Sequence, residues 1–145
     1  MLTTAASAAA VPAAASVLVV DDNPDACRMM AALVGHCGHD AHWATSGEAA
    51  LAFVSARPVK LVILDVMMPG VDGMEVLRRL RTDPANRAVR VALWSAVEDP
   101  AFIAEAGRKG ADDYWLKAGF DYSDLPAMLG RVLEEGGGSG RERRR

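Results

Sequence analysis

Short apolar runs alternate with helical patterns along most of the chain. Runs such as LVIL, residues 61–64, are continuously apolar, which is typical of a parallel strand covered on both faces. Helix signals lie between these runs: Pro24 suits a first turn, Gly38 follows a helix end, Ser46 can cap a helix, and Pro126 sits early in the last helix. The predicted strands are VLVVD, DAHWAT, KLVILD, VRVALWS and DDYWL, and the predicted helices are PDACRMMAALVGHCG, SGEAALAFVSARP, GMEVLRRLR, DPAFIAEAGRKG and SDLPAMLGRVLEE. Five strand-helix pairs predict an α/β fold with a doubly wound, five-stranded parallel sheet and helices on both faces.

The two ends of the chain differ in composition from this core. Residues 1–16 are almost all Ala, Ser and Thr, which predicts a disordered Ala-rich extension. Residues 136–145 begin with GGGSG and end with RERRR, which predicts a flexible Gly-rich and Arg-rich tail. Residues 17–135 form the predicted domain. No sequence typical of an output domain follows it, which favours a domain that acts alone.

Composition and charge narrow the function. The formal charge is −3, and RERRR alone carries +3, so the rest of the chain is acidic and a poor ligand for nucleic acid. No apolar run approaches the roughly 18 residues that a membrane span needs, so no membrane partner is expected. Cys27 and Cys37 fit no metal-ligand pattern, and both are expected to be reduced thiols in a cytoplasmic protein.

Polar side chains stand at the carboxyl ends of four predicted strands. Asp21 and Asp22 end the first strand, Asp65 the third, Ser95 the fourth and Lys117 the fifth. Because ligands bind at this edge of open parallel sheets, the five side chains are expected to converge. Three carboxylates favour a hard divalent ion such as Mg²⁺, and a hydroxyl and an ammonium beside them suit a phosphoryl group. Each residue alone has an ordinary explanation as a turn, cap or surface residue.

The motifs VLVVDDNPD, LVILDVMMPGVDGMEVL, ALWSA and GADDYWLKAGF resemble those of response-regulator receiver domains in order and spacing. The resemblance covers about residues 16–135. It implies a flavodoxin-like sheet with strand order 2-1-3-4-5 and a role in two-component signal transduction. The implied protein is a phosphoacceptor that assists its own phosphorylation and dephosphorylation, and is not an enzyme acting on other substrates.

The same resemblance implies the role of each acidic residue. Asp65 is the implied phosphoacceptor and takes its phosphoryl group from a histidine kinase or phosphotransferase. Mg²⁺ is expected to be the cofactor, held by Asp22, Asp65 and the backbone carbonyl of Met67, with Asp21 acting directly or through water. The metal then relieves the repulsion between the carboxylates. Pro69 is expected to fix the loop after Asp65.

Ser95 and Lys117 are implied to hold phosphoryl oxygens. On phosphorylation Ser95 is expected to move toward the phosphoryl group, and Tyr114 is expected to turn into the space that Ser95 leaves. A downstream protein partner is expected on the face formed by the fourth helix, fifth strand and fifth helix, and a homodimer is also compatible with the family. Packing at an edge strand is the ordinary alternative for Tyr114. Trp94 and Trp115 are expected to fill the core.

Two features depart from the family or bear on the lifetime of the phosphoryl group. Receiver domains usually follow the lysine with a cis proline, whereas this chain reads KAGF, so the bond from Lys117 to Ala118 is expected to be trans, with Gly119 redirecting the chain. Met67 and Val97 are expected to border the water route to Asp65, and neither can orient water by hydrogen bonding, which predicts slow hydrolysis. Ordinary packing is the simplest expectation for the methionine side chains in this region.

Other functions remain open from the sequence alone. The main alternative is a pseudo-receiver that serves as a phosphorylation-independent interaction scaffold. A metal-dependent phosphatase or a flavin-binding relative is a further alternative. The anionic loop DDNPD argues against flavin binding because a flavin phosphate needs amide donors without charge repulsion.

Overall fold

A computed structural model describes residues 14–134. Five strands alternate with five helices in this part of the chain, and a short 3₁₀ turn, Tyr122–Asp124, precedes the last helix. The strands are β1 Ser16–Val20, β2 Asp40–Ala44, β3 Leu61–Leu64, β4 Arg90–Ser95 and β5 Asp113–Leu116. The helices are α1 Pro24–His36, α2 Gly47–Ala56, α3 Gly73–Thr82, α4 Pro100–Arg108 and α5 Leu125–Glu134.

The strands form one parallel sheet in the order β2-β1-β3-β4-β5. Because every strand pair is parallel, the carboxyl ends of β1, β3, β4 and β5 lie at the same edge of the sheet. The predicted fold class and strand order are therefore confirmed. β1 and β3 are the inner strands next to the switch in winding direction, where a ligand site is expected in this type of sheet.

Alternate side chains of the strands enter two apolar layers, which is why the inner strands read as continuous apolar runs. One layer packs β1, β3 and β4 against α2, α3 and α4. The other packs the opposite sheet face against α1 and α5, and it includes Trp94 and Trp115, each 2% exposed. The prediction that both indoles fill the core is confirmed.

Helix starts follow the local sequence signals. Asn23 caps α1 and Pro24 is its first residue, while the Ser46 side chain accepts a hydrogen bond from the Ala49 backbone N–H and caps α2. Asp72 caps α3 in the same way, which fixes the direction in which the chain leaves the loop after β3.

The predicted boundaries need small corrections. Ser46 and Asp99 lie outside their helices as caps, and Ser123 belongs to the 3₁₀ turn rather than to α5. The predicted extension, residues 1–16, overlaps β1 at Ser16, and Ala15 is already buried. The remainder of that extension and the predicted tail, residues 136–145, lie outside the described residues.

None of the helices within residues 14–134 has the length and apolar character needed to cross a lipid bilayer.

Candidate functional site

Three carboxylates meet where β1 and β3 end. Oxygens of Asp21, Asp22 and Asp65 all lie within 4.8 Å of one another. Asp21 and Asp65 are almost fully buried, at 1% and 5% exposure, whereas Asp22 is exposed. Hard carboxylate oxygens at this spacing, with one group open to solvent, fit a divalent cation such as Mg²⁺ that keeps part of its water shell. The chain therefore offers a donor set that suits the predicted cofactor.

Burial and repulsion dominate the electrostatics of Asp65. The pKa of its carboxyl is raised to about 6, first by loss of solvation on burial and then by the neighbouring charge of Asp21. The Lys117 ammonium and a hydrogen bond from the Met67 backbone N–H oppose the rise, and Asp22 adds a smaller repulsion. Asp65 is consequently ionised at neutral pH, but its charge is destabilised by burial and by the neighbouring carboxylates. A nearby cation would relieve this cost.

Lys117 is the cation that the chain itself supplies. Its Nζ lies 2.6 Å from Asp21 Oδ2 and 3.6 Å from Asp65 Oδ1. Burial disfavours the ammonium, yet its hydrogen bond to Asp21 and the charge of Asp65 outweigh that effect and raise the pKa of Lys117. The backbone N–H of Lys117 donates to the Ser95 carbonyl at 2.8 Å, which ties the start of this side chain to the end of β4.

The chain after Lys117 follows the sequence expectation. No peptide bond among residues 14–134 is cis, so the trans bond predicted between Lys117 and Ala118 is confirmed. Gly119 has φ +72°, in the left-handed region that favours glycine, and a Cβ there would meet no atom within 4 Å. Glycine is therefore favoured at this position by the backbone angle and not by a lack of space for a side chain.

Ser95 and Tyr114 lie on adjacent strands at the same edge. Ser95 is fully buried, and its Oγ accepts a hydrogen bond from the Val97 backbone N–H at 3.0 Å. The half-buried Tyr114 donates its hydroxyl to the Val97 carbonyl at 2.8 Å, and its ring meets Phe102 edge-on. Burial raises the pKa of Tyr114, a hydrogen bond with Ser95 lowers it, and the charge of Asp65 raises it. Both hydroxyl groups therefore bond to the backbone of Val97, while the predicted exchange of their positions stays a prediction.

The loop after β3 brings backbone close to Asp65. The Gly73 N–H donates to the Val66 carbonyl at 2.9 Å, and a Cβ on Gly73 would lie only 2.2 Å from the Asp65 carbonyl oxygen. Glycine is therefore required here for close approach. Met67 is 65% exposed, so the expectation of ordinary packing is wrong for this side chain, although Met68 is buried. The role of the Met67 carbonyl as a metal ligand stays a prediction.

The structure brings Asp21, Asp22, Asp65 and Lys117 into contact range, and it places Ser95 at the end of the neighbouring strand. The expected convergence is thus seen for the three carboxylates and Lys117, and for Ser95 it stays a prediction. Their chemical roles are a separate matter and stay predictions.

Sequence reasoning missed three residues that support the site. The Asn23 N–H donates to Asp21 Oδ1 at 2.9 Å, and Cys27 Sγ donates to the Asp21 carbonyl at 3.1 Å. Burial raises the pKa of the Cys27 thiol to about 11, so the thiol stays protonated and able to donate. Trp94 lies beneath Lys117, with Nζ 4.8 Å from the ring centroid. The helical periodicity of Cys27 indicated only burial, and a strand Trp gives no signal for the cation above it.

Comparison with known proteins adds an independent line of evidence. The family model described as the response regulator receiver domain matches residues 17–129. The chain is 34% identical over 116 residues to the gliding motility regulatory protein of Myxococcus xanthus, a match that covers 80% of this chain and 15% of that protein. It is 34% identical over 117 residues to the transcriptional regulatory protein ZraR of Escherichia coli O157:H7, covering 81% and 26% of the two chains. The chain therefore spans only a minor part of these two relatives.

Solved structures show the same architecture. The chemotaxis protein CheY4 of Vibrio cholerae superposes with a TM-score of 0.76 and is 28% identical, covering 83% of this chain and 100% of that one. The receiver domain of the Francisella response regulator 1452 also gives a TM-score of 0.76, at 27% identity, covering 83% and 97%. Both similarities cover more than four fifths of this chain.

Proposed function

Because the chain belongs to the response-regulator receiver domain family, we propose that it is a phosphoacceptor of a two-component system and that Asp65 receives the phosphoryl group. The observation that supports this most is a buried carboxylate at the end of a central strand, with an ammonium 3.6 Å away and two further carboxylates within 4.8 Å. The donor is a phosphohistidine of a histidine kinase or phosphotransferase. The domain does not turn over a second substrate, so it is a signalling component and not an enzyme.

The transfer is an in-line displacement at phosphorus. An oxygen of the Asp65 carboxylate forms the new P–O bond while the P–N bond to the donor imidazole breaks, and the imidazole leaves with the bonding electron pair. Asp65 has to be ionised to attack. In the metal-free chain the pKa of Asp65 is about 6, so the carboxylate is already largely ionised at neutral pH, and a bound cation would favour the ionised form further. The protein's contribution is mainly positioning and neutralisation of charge.

Lys117 and Ser95 are the groups that hold the transferred oxygens in this proposal. Lys117 already lies between Asp21 and Asp65, so its ammonium needs no long movement to meet a phosphoryl oxygen on Asp65. Ser95 lies on the strand adjacent to β3, and its hydroxyl can exchange its present backbone partner, Val97, for a phosphoryl oxygen. Both groups act by hydrogen bonding and charge.

Mg²⁺ is the proposed cofactor. Asp21, Asp22 and Asp65 are the residues that would hold it, together with the predicted backbone carbonyl of Met67. When bound, the ion supplies positive charge that offsets the repulsion among the carboxylates and the phosphoryl oxygens. The raised pKa of Asp65 supports this assignment because the protein alone leaves its charge incompletely compensated.

The output is proposed to be an altered protein-binding surface. Ser95 and Tyr114 both bond to the backbone of Val97, and this shared partner is the proposed route by which a change at Ser95 reaches β5. The face formed by α4, β5 and α5 is the proposed docking site for a downstream protein or a second copy of the chain. The chain's acidic character outside RERRR supports a protein partner rather than nucleic acid. The cytoplasm, where ATP-dependent kinases act, is the compartment that this proposal implies.

Incubation with acetyl phosphate and Mg²⁺ tests the proposal. Intact-mass spectrometry is expected to show one added phosphoryl group on the wild-type chain and none on Asp65→Asn, with no addition when EDTA replaces Mg²⁺. A wild-type chain that folds, binds Mg²⁺ and remains unmodified would instead favour the scaffold alternative.

A further inference from the structure

Trp94 lies directly under the ammonium of Lys117. It is the penultimate residue of β4, pairs in register with Trp115 of β5, and is 2% exposed. The Lys117 N–H is bonded to the Ser95 carbonyl, so the lysine side chain starts beside the indole and crosses its face, with Nζ 4.8 Å from the ring centroid. Beyond the ring, the same Nζ reaches Asp21 and Asp65.

An indole at position 94 lowers the stability of the fold more than a purely apolar side chain would, if its only function is to fill the core. Trp94 Nε1 is buried and has no hydrogen-bond partner among the described residues. A buried donor without a partner costs stability, and a leucine or phenylalanine would avoid that cost. Trp115 is the contrasting case on the next strand, because its Nε1 donates to Asp113 Oδ2 at 2.9 Å. The property that Trp94 retains is its ring face, and tryptophan is the side chain that binds cations best in this way.

The loop that follows Lys117 also depends on Trp94. Ala118 and Gly119 are exposed and add little restraint after the lysine. Phe120 then returns to the core, where its ring meets Trp94 edge-on at 6.3 Å and Trp115 at 5.9 Å. Trp94 therefore contacts both the lysine head group and the residue that anchors the far side of the loop.

We propose that Trp94 is a positioning residue, a cation-binding platform that holds the Lys117 ammonium over its ring and toward Asp65. The indole restricts the lysine to conformations that cross its face and end at the acidic cluster. The indole thus restricts the position of the ammonium through a side-chain contact, whereas a rigid residue after the lysine would restrict it through the backbone. The inference rests on the proposed function, since it assigns Trp94 to the same phosphoryl-accepting site.

Matched variants separate positioning from packing. Trp94→Leu removes the ring, and Trp94→Phe keeps a weaker one. Trp115→Leu removes an indole of equal burial over which no ammonium lies within residues 14–134. The rate constant for phosphorylation by acetyl phosphate with Mg²⁺ is expected to fall about tenfold in Trp94→Leu, the equivalent of 1.36 kcal/mol in the barrier, and about threefold in Trp94→Phe. Trp115→Leu is expected to keep the wild-type rate even if it unfolds at lower urea concentration.

Fluorinated tryptophan at position 94 separates the loss of the interaction between cation and ring from the change of side-chain shape in the Leu and Phe variants. Fluorine withdraws electron density from the ring with little change in volume, so mono-, di- and trifluoroindoles, introduced site-specifically, should slow phosphorylation in that order. In a Lys117→Met background, the fluorinated series and Trp94→Leu should have no further effect on the rate. A merely structural role for Trp94 would give no such gradation and no dependence on the lysine.

A second readout does not depend on phosphorylation. The Lys117 methylene protons next to Nζ should show an upfield ring-current shift by NMR in the metal-free wild-type chain, and this shift should disappear in Trp94→Leu but persist in Trp115→Leu. If the shift is present and the wild-type chain is never phosphorylated, the proposed function fails while the platform stands. A chain that is phosphorylated equally fast with Trp, fluorinated Trp or Leu at position 94, or that lacks the shift, overturns the platform.

Discussion

Replacing Asp65 with Asn is expected to stabilise the metal-free fold at neutral pH, because the native structure holds this carboxylate in an unfavourable environment. Burial and the charges of Asp21 and Asp22 raise its pKa from 3.8 to about 6, even with Lys117 nearby. The substitution keeps the shape of the side chain and removes the charge. Asp65 is thus expected to be essential for phosphorylation and, at the same time, to lower the stability of the metal-free fold. Such a conflict is common where function requires an unfavourable charge.

The magnitude follows from the shift. A raised folded-state pKa means that ionisation of Asp65 costs stability, so the cost is absent well below pH 3.8 and complete above about pH 6. Raising the pKa from 3.8 to about 6 corresponds to about 3 kcal/mol at pH 7.5, since a tenfold change in an equilibrium constant is worth about 1.36 kcal/mol. The same relation leaves about 1 kcal/mol at pH 4.5. Asp65→Asn should therefore be more stable than wild type by about these amounts.

Urea unfolding followed by tryptophan fluorescence in EDTA measures both values. Glu98→Gln, at an exposed position in the loop after β4, is the control for loss of one negative charge and should change stability by less than about 0.5 kcal/mol. Saturating Mg²⁺ should stabilise wild type more than Asp65→Asn and so narrow their difference. Equal stability of the two proteins at pH 7.5, or a difference that does not shrink at pH 4.5, would refute the electrostatic reasoning.

Three further substitutions probe the metal site, the hydrolysis step and the loop after β3. Asp22→Ala should weaken Mg²⁺ binding by at least about tenfold, because it removes a solvent-facing carboxylate ligand; unchanged affinity by calorimetry would count against this metal site. Met67→Asn should shorten the lifetime of the phosphorylated chain, since an amide beside Asp65 can orient water; a decay rate no faster than wild type would show that water positioning there is not limiting. Gly73→Ala should destabilise the fold by about 1 to 3 kcal/mol in urea unfolding, because its Cβ would lie 2.2 Å from the Asp65 carbonyl oxygen. Gly130→Ala, which meets nothing within 4 Å, is the matched control, and an equal loss of stability there would contradict the steric argument.

The ends of the strands were predictable because parallel pairing leaves little freedom once each apolar run is identified. Asp21, Asp65 and Ser95 follow or end runs whose direction and order determine where they lie. The trans bond after Lys117 was predictable for a different reason. A cis bond to alanine is energetically unfavourable whatever the surrounding structure, so the residue type alone predicts the trans form.

The remaining features depend on contacts between residues far apart in the chain. Cys27 supports the Asp21 carbonyl through a thiol whose sequence position indicates only burial. Met67 reads as another apolar residue in a loop, and only the tertiary structure shows that it faces solvent. The contact between Lys117 and Trp94 depends on the register of β4 with β5 and on the path of the long lysine side chain. The hydrophobic periodicity of the sequence gives information on neither.

The most direct test of the central claim is to locate the phosphoryl group. After incubation with acetyl phosphate and Mg²⁺, borohydride reduction converts an aspartyl phosphate to homoserine, and peptide mass spectrometry then identifies the modified residue. The account predicts homoserine at position 65 in the wild-type chain, with no reduced residue when EDTA replaces Mg²⁺. Modification at another carboxylate, or an unmodified position 65 in folded protein with Mg²⁺ bound, would contradict it.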